Sequence, residues 1–401
     1  MLAQRLEFTP ERDAEVFACV PGAAAVFLLR GAEEGSEPYV SKTANLRRRL
    51  VRLLGPTEER TRRLNLRERV TTIEFSLTGS DFESGFLLYR LLRTTFPRSY
   101  SGRLRLRPAP LVKLHLENEY PRASITTRLG RLSGGSLYYG PFASRAAAEK
   151  FANDSLDFFK MRRCVDDLHP DPAFPGCIYS EMKMCLAPCF KGCTDEQYAS
   201  EVARVQAYFE TRGQSLAREL AAERDQASAS LEFENAAAAH AHLEKLTPML
   251  SQLPEVVHRL DRLSGLIIQR SAAQNAVTLF PVQTGAITGP LSFAVQPTAE
   301  QAAKSQSMES RIQEALAPFA PHCDLSTVAR TEHLAILKRW YYRSGRAGEI
   351  FFADEKGVLP MRRVVRGIGR VFHGERPDAG PAAPGVAYEI LQRENHHEET
   401  R

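Results

Sequence analysis

The chain has 401 residues, of which 43% are apolar and 25% charged. This is the balance of a globular chain of two to four domains and excludes a fibrous or wholly disordered one. Lys and Arg exceed Asp and Glu by 53 to 48, a net charge of +5. No run approaches the roughly 18 apolar residues that a membrane span needs.

The charge is unevenly placed. Nine Arg stand between Arg47 and Arg69 against Glu58, Glu59 and Glu68, and six Arg stand between Arg90 and Arg107 with no acid. Two such tracts suggest a polyanion-facing surface, because each phosphate neutralised releases counterions. The plain alternative is a solvated arginine-rich face. Arg47, Arg48, Arg49, Arg52, Arg98 and Arg103 are the candidate DNA-binding residues.

In chain order, the apolar stretch Val16–Leu29 follows Glu11, Asp13 and Glu15 and is broken by Pro21-Gly22. It reads as a first strand and its approach rather than a secretory signal, which would carry basic residues there. A cytoplasmic protein without membrane contact is expected. Strands are predicted at Ala23–Leu29, Pro38–Val40 and Val70–Leu77. Helices are predicted at Ala44–Leu54, where Leu46, Leu50, Leu53 and Leu54 share a face, and at Asp81–Thr95, capped by Ser80 or Asp81 and stopped by Pro97. Together, residues 15–108 form a small α/β unit.

Residues 109–193 begin with strands (Leu111–Leu116, Ala123–Thr127, Ser136–Tyr139) and a helix (Ser144–Lys160). The Pro- and Gly-rich segment 161–193 shows no period, as in a loop moulded around something. Residues 194–252 read as helical, with two amphipathic stretches punctuated at Leu231–Phe233. Residues 253–374 read as α+β. Their strands are Leu263–Gln269, Ala276–Pro281, Gly289–Val295 and Glu349–Phe352, and their helices Met308–Leu316 and Thr331–Tyr342. Trp340, Tyr341 and Tyr342, flanked by Lys338, Arg339 and Arg343, read as a half-buried helix end with snorkelling basic residues rather than a base-stacking platform. Residues 375–401 read as a disordered tail. There is no internal repeat.

Five of seven cysteines fall between 164 and 193, with the spacing Cys164-x12-Cys177-x7-Cys185-x3-Cys189 and Cys193 three residues beyond. A reducing compartment has no use for a disulfide framework, so the concentration points to metal or redox chemistry. No C-x2-C knuckle is present, and four thiolates suit either tetrahedral zinc or an iron–sulfur cluster. Scattered buried cysteines are the unremarkable alternative.

Tyr138-Tyr139-Gly140-Pro141-Phe142, followed by cysteines ending in Met184-Cys185-Leu186-Ala187-Pro188-Cys189, resembles the UvrC subunit of the bacterial excinuclease. The resemblance implies a [4Fe–4S] cluster on Cys164, Cys177, Cys185 and Cys189, with zinc as the alternative and Cys193 in reserve. Leu231-Glu232-Phe233-Glu234-Asn235-Ala236-Ala237 resembles the UVR motif through which UvrC and UvrB meet. It implies UvrB or another repair protein as partner of the 231–246 hairpin, with Leu231, Phe233 and Glu234 at the contact. Physically, Leu231 and Phe233 can close the hairpin, while Ala236 and Ala237 let its helices approach. The family's Arg-Asp pair reads His240 and Ala241 here.

UvrC proteins begin with a GIY-YIG nuclease domain, and Pro21-Gly22 followed by Pro38-Tyr39-Val40-Ser41-Lys42 is similar to its signature. The resemblance places Tyr39 at the YIG tyrosine, Lys42 at the lysine after it and Arg49 at the helical arginine. Ala24 occupies the GIY tyrosine, Ser41 the YIG glycine and Leu53 the helix tyrosine. Where the family has E-A-x-x-x-E, the chain has Glu83 and then Leu88 in place of the metal-binding carboxylate. Five residues of helix turn through about 140°, so Glu83 cannot stand in for it. No catalytic divalent metal is expected, and the site is a remnant. By the resemblance, the family's ribonuclease-H-like and helix-hairpin-helix domains are expected to be missing from this sequence.

The fold class expected is therefore α/β multidomain: a small GIY-YIG-like α/β domain, a cysteine-rich cluster-binding segment, a helical hairpin and a C-terminal α+β domain. The function expected is a UvrC-like, DNA-binding, nucleotide-excision-repair-associated protein with a degenerate nuclease centre. The alternatives are an active single-incision endonuclease of the short UvrC-homologue type, and an iron–sulfur redox-sensing scaffold that touches no DNA.

Overall fold

The computed structural model describes residues 2–33, 35–56, 64–165, 168–303, 305–319 and 325–375. The chain begins with strand β1 (Gln4–Glu7), helix α1 (Asp13–Cys19), β2 (Ala25–Gly31), β3 (Tyr39–Thr43), α2 (Leu46–Leu54), β4 (Val70–Leu77), α3 (Asp81–Thr95) and α4 (Tyr100–Leu104). The four strands form an antiparallel sheet in the order β1-β4-β2-β3. Helix α1 corrects the sequence reading, which took Val16–Leu29 as a strand and its approach. Asp13 and Glu15 in the first turn favour a helix N-terminus, and the strand begins only beyond Pro21-Gly22.

The central strand β2 is buried on both faces. Ala25, Phe27 and Leu29 turn toward Leu46, Leu50, Leu53 and Leu54 of α2 in one core. Asn45 caps α2 by accepting from the Arg48 amide at 2.9 Å. Ser80 caps α3 by accepting from the Glu83 amide at 3.1 Å, so of the two expected caps it is Ser80 that serves.

The middle of the chain contains β5 (Leu111–His115), β6 (Ala123–Thr126), β7 (Ser136–Gly140), α5 (Arg145–Leu156), the single turn α6 (Ile178–Glu181), α7 (Asp195–Glu210), α8 (Gln214–Ala229), α9 (Phe233–Gln252) and β8 (His258–Arg259). A second antiparallel sheet runs β6-β5-β7-β8. The helix expected over Ser144–Lys160 is shorter, with Ser144 as its cap. The expected helical stretch from Thr194 resolves into three helices, because Arg212 and Gly213 take positive φ between α7 and α8. Helices α8 and α9 pack antiparallel through Leu216, Ala217 and Leu220 against Leu243 and Leu246.

The remaining elements are β9 (Gly265–Arg270), β10 (Ala276–Gln283), β11 (Ala286–Ile287), β12 (Leu291–Ala294), α10 (Ala299–Ala303), α11 (Met308–Leu316), α12 (Thr327–Tyr341), β13 (Glu349–Phe352) and α13 (Met361–His373). The third sheet runs β11-β10-β9-β13, with β12 also on β10. One face carries α11 and α13 over Leu266, Ile268, Val277 and Leu279. Helix α13 was not anticipated, and α12 begins four residues earlier than expected, after the Ser326 cap. The proposed tail lies outside the described residues apart from Glu375.

The other face of this third sheet joins the central core, which also takes the aromatic face of α3. Phe82 and Phe86 meet Phe280 edge-on at 5.0 and 5.9 Å. Glu332 of α12 accepts from the hydroxyls of Tyr89 (2.9 Å) and Tyr100 (2.8 Å), tying α3 and α4 to the C-terminal part. His333 is 5% exposed. Its Nδ1 accepts from the Ile287 amide at 3.0 Å.

Burial, aided by the charges of Arg93, Arg330 and Arg90, pushes the His333 pKa down to about 4. Its ordinary value is near 6.5, so the unfolded chain takes up the proton first as pH falls. Stability contributed by the neutral ring is therefore full above about 6.5 and lost progressively down to about 4. His333→Gln, which retains an acceptor, is expected to flatten the decline of stability between those pH values in denaturant titrations. An unchanged slope would place the proton uptake elsewhere.

Candidate functional site

Strand alternation divides the positions that resemble nuclease residues. Tyr39 pairs with Leu29 and Lys42 with Val26. Three residues apart, the two side chains leave opposite faces of the sheet. Tyr39 lies on the α2 side, its ring 6.0 Å from Phe27, and its hydroxyl accepts from Arg49 Nη2 at 2.8 Å. Lys42 lies on the α3 side, where its ammonium meets Asp81 at 2.5 Å. The structure thus brings Tyr39 and Arg49 together and sends Lys42 elsewhere.

Asp81 also receives Arg343 at 2.6 Å. Burial pushes its carboxyl up, but Lys42 and Arg343 outweigh that and hold it below the usual range. Glu83 is 8% exposed, and its Oε2 accepts from the Gly79 amide at 2.7 Å. Burial raises its pKa against that hydrogen bond. Glu83 thus caps the start of the helix through one carboxylate oxygen. Leu88 is half-buried on the same helix, Leu53 is buried beneath α2, and Ala24 contributes its carbonyl to the Thr78 amide at 2.9 Å.

The arginines fall into two groups. Arg47 donates to the carbonyls of Val20 (2.7 Å) and Ala18 (3.2 Å) at the end of α1, Arg49 is held by Tyr39, and Arg103 pairs with Glu37 and stacks 4.0 Å from the Phe96 centroid. Arg48, Arg52 and Arg98 are exposed and meet no carboxylate among the described residues. Residues 57–63, including Arg60, Arg62 and Arg63 of the first tract, lie outside the described residues. Trp340 is 7% exposed, with its Nε1 donating to the Ala347 carbonyl at 3.0 Å, and Tyr342 donates to the Pro141 carbonyl at 2.9 Å. The half-buried helix end is what the structure contains.

The cysteine loop is held at its start by buried Arg162, which donates through Nε to the Tyr120 carbonyl at 2.9 Å and through Nη1 to Cys164 Sγ at 3.4 Å. The Ala187 amide donates to Cys185 Sγ at 3.3 Å. Cys177 Sγ accepts a backbone N–H at the start of α6. Burial raises the Cys185 thiol to about 11, with the charges of Cys164, Cys189 and Cys177 adding to it. Burial likewise raises Cys189, with Cys177 and Cys164 contributing. Four thiols thus lie within electrostatic reach of one another. Cys193 is raised by burial, then by Asp195 and Cys189, and packs on the central core. Among the described residues no three His, Cys, Asp or Glu side chains stand where one metal ion could be held.

The loop bends through left-handed backbone at Gly176, Lys183, Ala187 and Lys191. Non-glycine residues adopt that region rarely and at a cost. Nothing in the residue types announces those dihedrals.

At the hairpin tip, Leu231 is 71% and Phe233 68% exposed. This corrects the expectation that they close the hairpin. Leu231 sits in left-handed backbone in the turn (φ +59°), which carries both side chains outward. In this hairpin Ala227 and Ala239 are buried, Ala236 is half-buried and Ala237 is exposed. Glu234 is exposed beside them, and a groove of about 390 Å³ opens between the helices, lined in part by Glu223, Glu232 and His242. Among the described residues no helix is long and apolar enough to cross a membrane.

Residues 110–208, from β5 through most of α7, match the family described as UvrC/Cho excinuclease, middle domain. The chain is 26% identical over 364 residues to "UvrABC system protein C" of Xanthomonas campestris pv. campestris, covering 87% of this chain and 58% of that protein. It is 27% identical to the protein of that name from Methanothermobacter thermautotrophicus, covering 70% of this chain and 46% of the relative. With that from Brucella suis biovar 1 it shares 30% identity over 63% of this chain and 41% of the relative. The chain spans about half the length of the curated relatives it matches. No solved structure matches it. The sheet of β5, β6 and β7, the cysteine loop and the helix after it thus coincide with a middle domain of that family, and the chain is a UvrC-like protein.

Proposed function

We propose that this chain is a DNA-binding protein of nucleotide excision repair that carries a [4Fe–4S] cluster on Cys164, Cys177, Cys185 and Cys189 and does not itself cut DNA. The observation that carries the non-cutting reading is the commitment of Glu83 to the Gly79 amide, with Leu88 where a second carboxylate would be needed. Metal-assisted cleavage of a phosphodiester requires a protein ligand that fixes the ion. Tyr39 and Arg49 remain paired, but Lys42 faces away from them.

The donor set supports a cluster. A single zinc ion would draw four sulfurs to about 2.3 Å from one point, whereas four irons spread their ligands apart. Cys164, Cys177, Cys185 and Cys189 lie within electrostatic reach of one another, which suits a group held by thiolates, and the family resemblance is what favours iron–sulfur over zinc. When bound, the cluster would supply a cationic, redox-active anchor. The Ala187 amide and the Arg162 guanidinium would donate to Cys185 and Cys164, as hydrogen bonds to thiolate sulfur do in tuning such sites. DNA would be gripped through Arg48, Arg52 and Arg98, with Arg47, Arg49 and Arg103 serving the fold first. The exposed Leu231, Phe233 and Glu234 would meet UvrB or another repair protein.

Anaerobically purified protein is expected to be brown, with iron and sulfide in near-equal amounts; colourless protein with stoichiometric zinc would overturn the cluster. Damaged and undamaged supercoiled plasmid is expected to stay intact with magnesium or manganese. Cutting by the unaltered protein that Arg49→Ala abolishes would show a working nuclease. Replacing Leu231 and Phe233 with Ser is expected to shift folding stability by no more than about 0.5 kcal/mol, as for exposed sites, while Leu243→Ala costs about 2–5 kcal/mol. A large loss of stability in the Ser variant would show the tip to be packing rather than contact surface.

A further inference from the structure

We propose that the exposed arginine face of α13 is a second DNA-backbone-binding surface, far along the chain from the N-terminal arginines. The inference rests on the DNA-binding reading above and extends it to an element that no sequence motif singled out. Helix α13, Met361–His373, contains Arg362, Arg363, Arg366 and Arg370 and no acid. Val364, Gly367, Ile368 and Val371 are buried against the third sheet. The fit there is tight, since a Cβ at Gly367 would lie 2.4 Å from the Phe351 ring. The apolar face of this basic amphipathic helix is thus already covered by protein, so it cannot enter a lipid surface as such helices do.

The four arginines differ in what they meet. Arg370 makes a two-pronged pair with Glu349 at 2.8 and 2.7 Å, the mark of a structural role. Arg362 and Arg366 are exposed and meet no carboxylate among the described residues. Arg366 Nε makes only a long bond to the Arg362 carbonyl, 3.4 Å. Arg363 has its nearest carboxylate, Glu255, at 4.0 Å, and both side chains are more than half exposed. That contact is worth little.

Arg362 and Arg363 also sit in the first helical turn, which has no acidic residue and no side-chain cap. Cations there oppose the helix dipole and lower helix stability. Arg362 has no carboxylate partner among the described residues, and Arg363 has only the long contact to Glu255 and a ring contact with Phe351 at 5.8 Å, which leaves both charges open to an external polyanion. Arg362 and Arg366 are one turn apart, about 6 Å along the axis, a length over which duplex DNA presents about two phosphates per strand. The Arg270 guanidinium lies beside Gly374 at the far end of the helix. Contacts of this kind bind backbone and carry no sequence preference.

The test is fluorescence anisotropy with a labelled duplex across a salt series, using the full chain and a triple variant, Arg362→Ala, Arg363→Ala and Arg366→Ala. Each arginine that meets a phosphate contributes about 0.9 to the slope of log K against log salt. The triple variant is expected to lower the slope by about two to three and to weaken binding more than tenfold at about 0.1 M salt. A triple Lys variant is expected to retain the slope, and Tm is expected to hold in both. If the Ala variant melts early, a triple Gln variant, which keeps the side-chain length, carries the comparison. Unchanged slope and affinity in the triple variant, while Arg48→Ala, Arg52→Ala and Arg98→Ala weaken binding, would overturn this surface and leave the DNA-binding reading standing. Failure of the unaltered protein to bind DNA would overturn both. Loss of binding to phosphatidylserine vesicles with DNA binding intact would assign the face to lipid instead.

Discussion

Phe82 and Phe86 stack on one face of α3, 6.4 Å apart, and both meet Phe280, while Trp340 lies 5.1 Å from Phe82. Burying each such ring is worth about 1.5–3 kcal/mol, and favourable ring pairs add roughly 0.5–1.5 kcal/mol each. The approach is close enough that a Cβ at Gly79 would lie 2.1 Å from the Arg270 carbonyl. Only glycine lets the turn between β4 and α3 rest against the turn between β9 and β10. The N-terminal sheet is thereby fixed to the C-terminal sheet through the same helix that, by family resemblance, would carry a metal ligand.

That docking commits one face of α3 to another core, while Leu88 stands half-buried on a different face. The acidic N-terminus of α3 is occupied as well: Glu83 caps the Gly79 amide, and Asp81 is shared between Lys42 and Arg343. The Asp81 pairs are exposed and contribute little stability. Their effect is to hold Lys42 and Arg343 against one carboxylate. The proposed loss of cleavage is therefore a matter of commitment of groups as well as of missing residues.

Helix α3 was legible because it carries every local signal: a serine cap, acids in the first turn, a long apolar face and a following proline. Helix α13 carried a signal too, in Val364, Ile368 and Val371 at helical spacing, but Gly367 and Gly369, both poor helix formers, interrupt it. Gly367 is there because Phe351 leaves no room for a Cβ, which is a tertiary fact. Helix α1 was masked by the apolar run that continues into β2. Leu231 and Phe233 were assigned inward because apolar residues beside a turn usually are. Their outward placement depends on one left-handed residue that composition does not reveal. The resemblance located the four thiols, yet it said nothing of Arg162 buried beside Cys164 or of the two tyrosines sharing Glu332.

The cysteine loop has few buried side chains of its own and is pinned largely by backbone hydrogen bonds, such as the Asp171 amide to the Cys189 carbonyl at 2.9 Å and the Leu186 amide to the Lys160 carbonyl at 3.0 Å. Among the described residues between 163 and 193 only Ala187 and Pro188 are buried. Three non-glycine residues, Lys183, Ala187 and Lys191, take left-handed backbone within nine positions, at about 1–2 kcal/mol each. Bringing four thiols together while raising the pKa of Cys185 and Cys189 adds to that cost if they are to ionise. A disulfide would relieve only one pair and would leave the amide of Ala187 and the guanidinium of Arg162 aimed at sulfur without an anion to stabilise. A cationic centre acts on the electrostatic part of this cost: it favours the thiolates, draws the segments of the loop together and strengthens both N–H···S contacts. On that reasoning the proposed cluster is the core that this segment lacks, and its removal should loosen the loop before it touches the helices on either side.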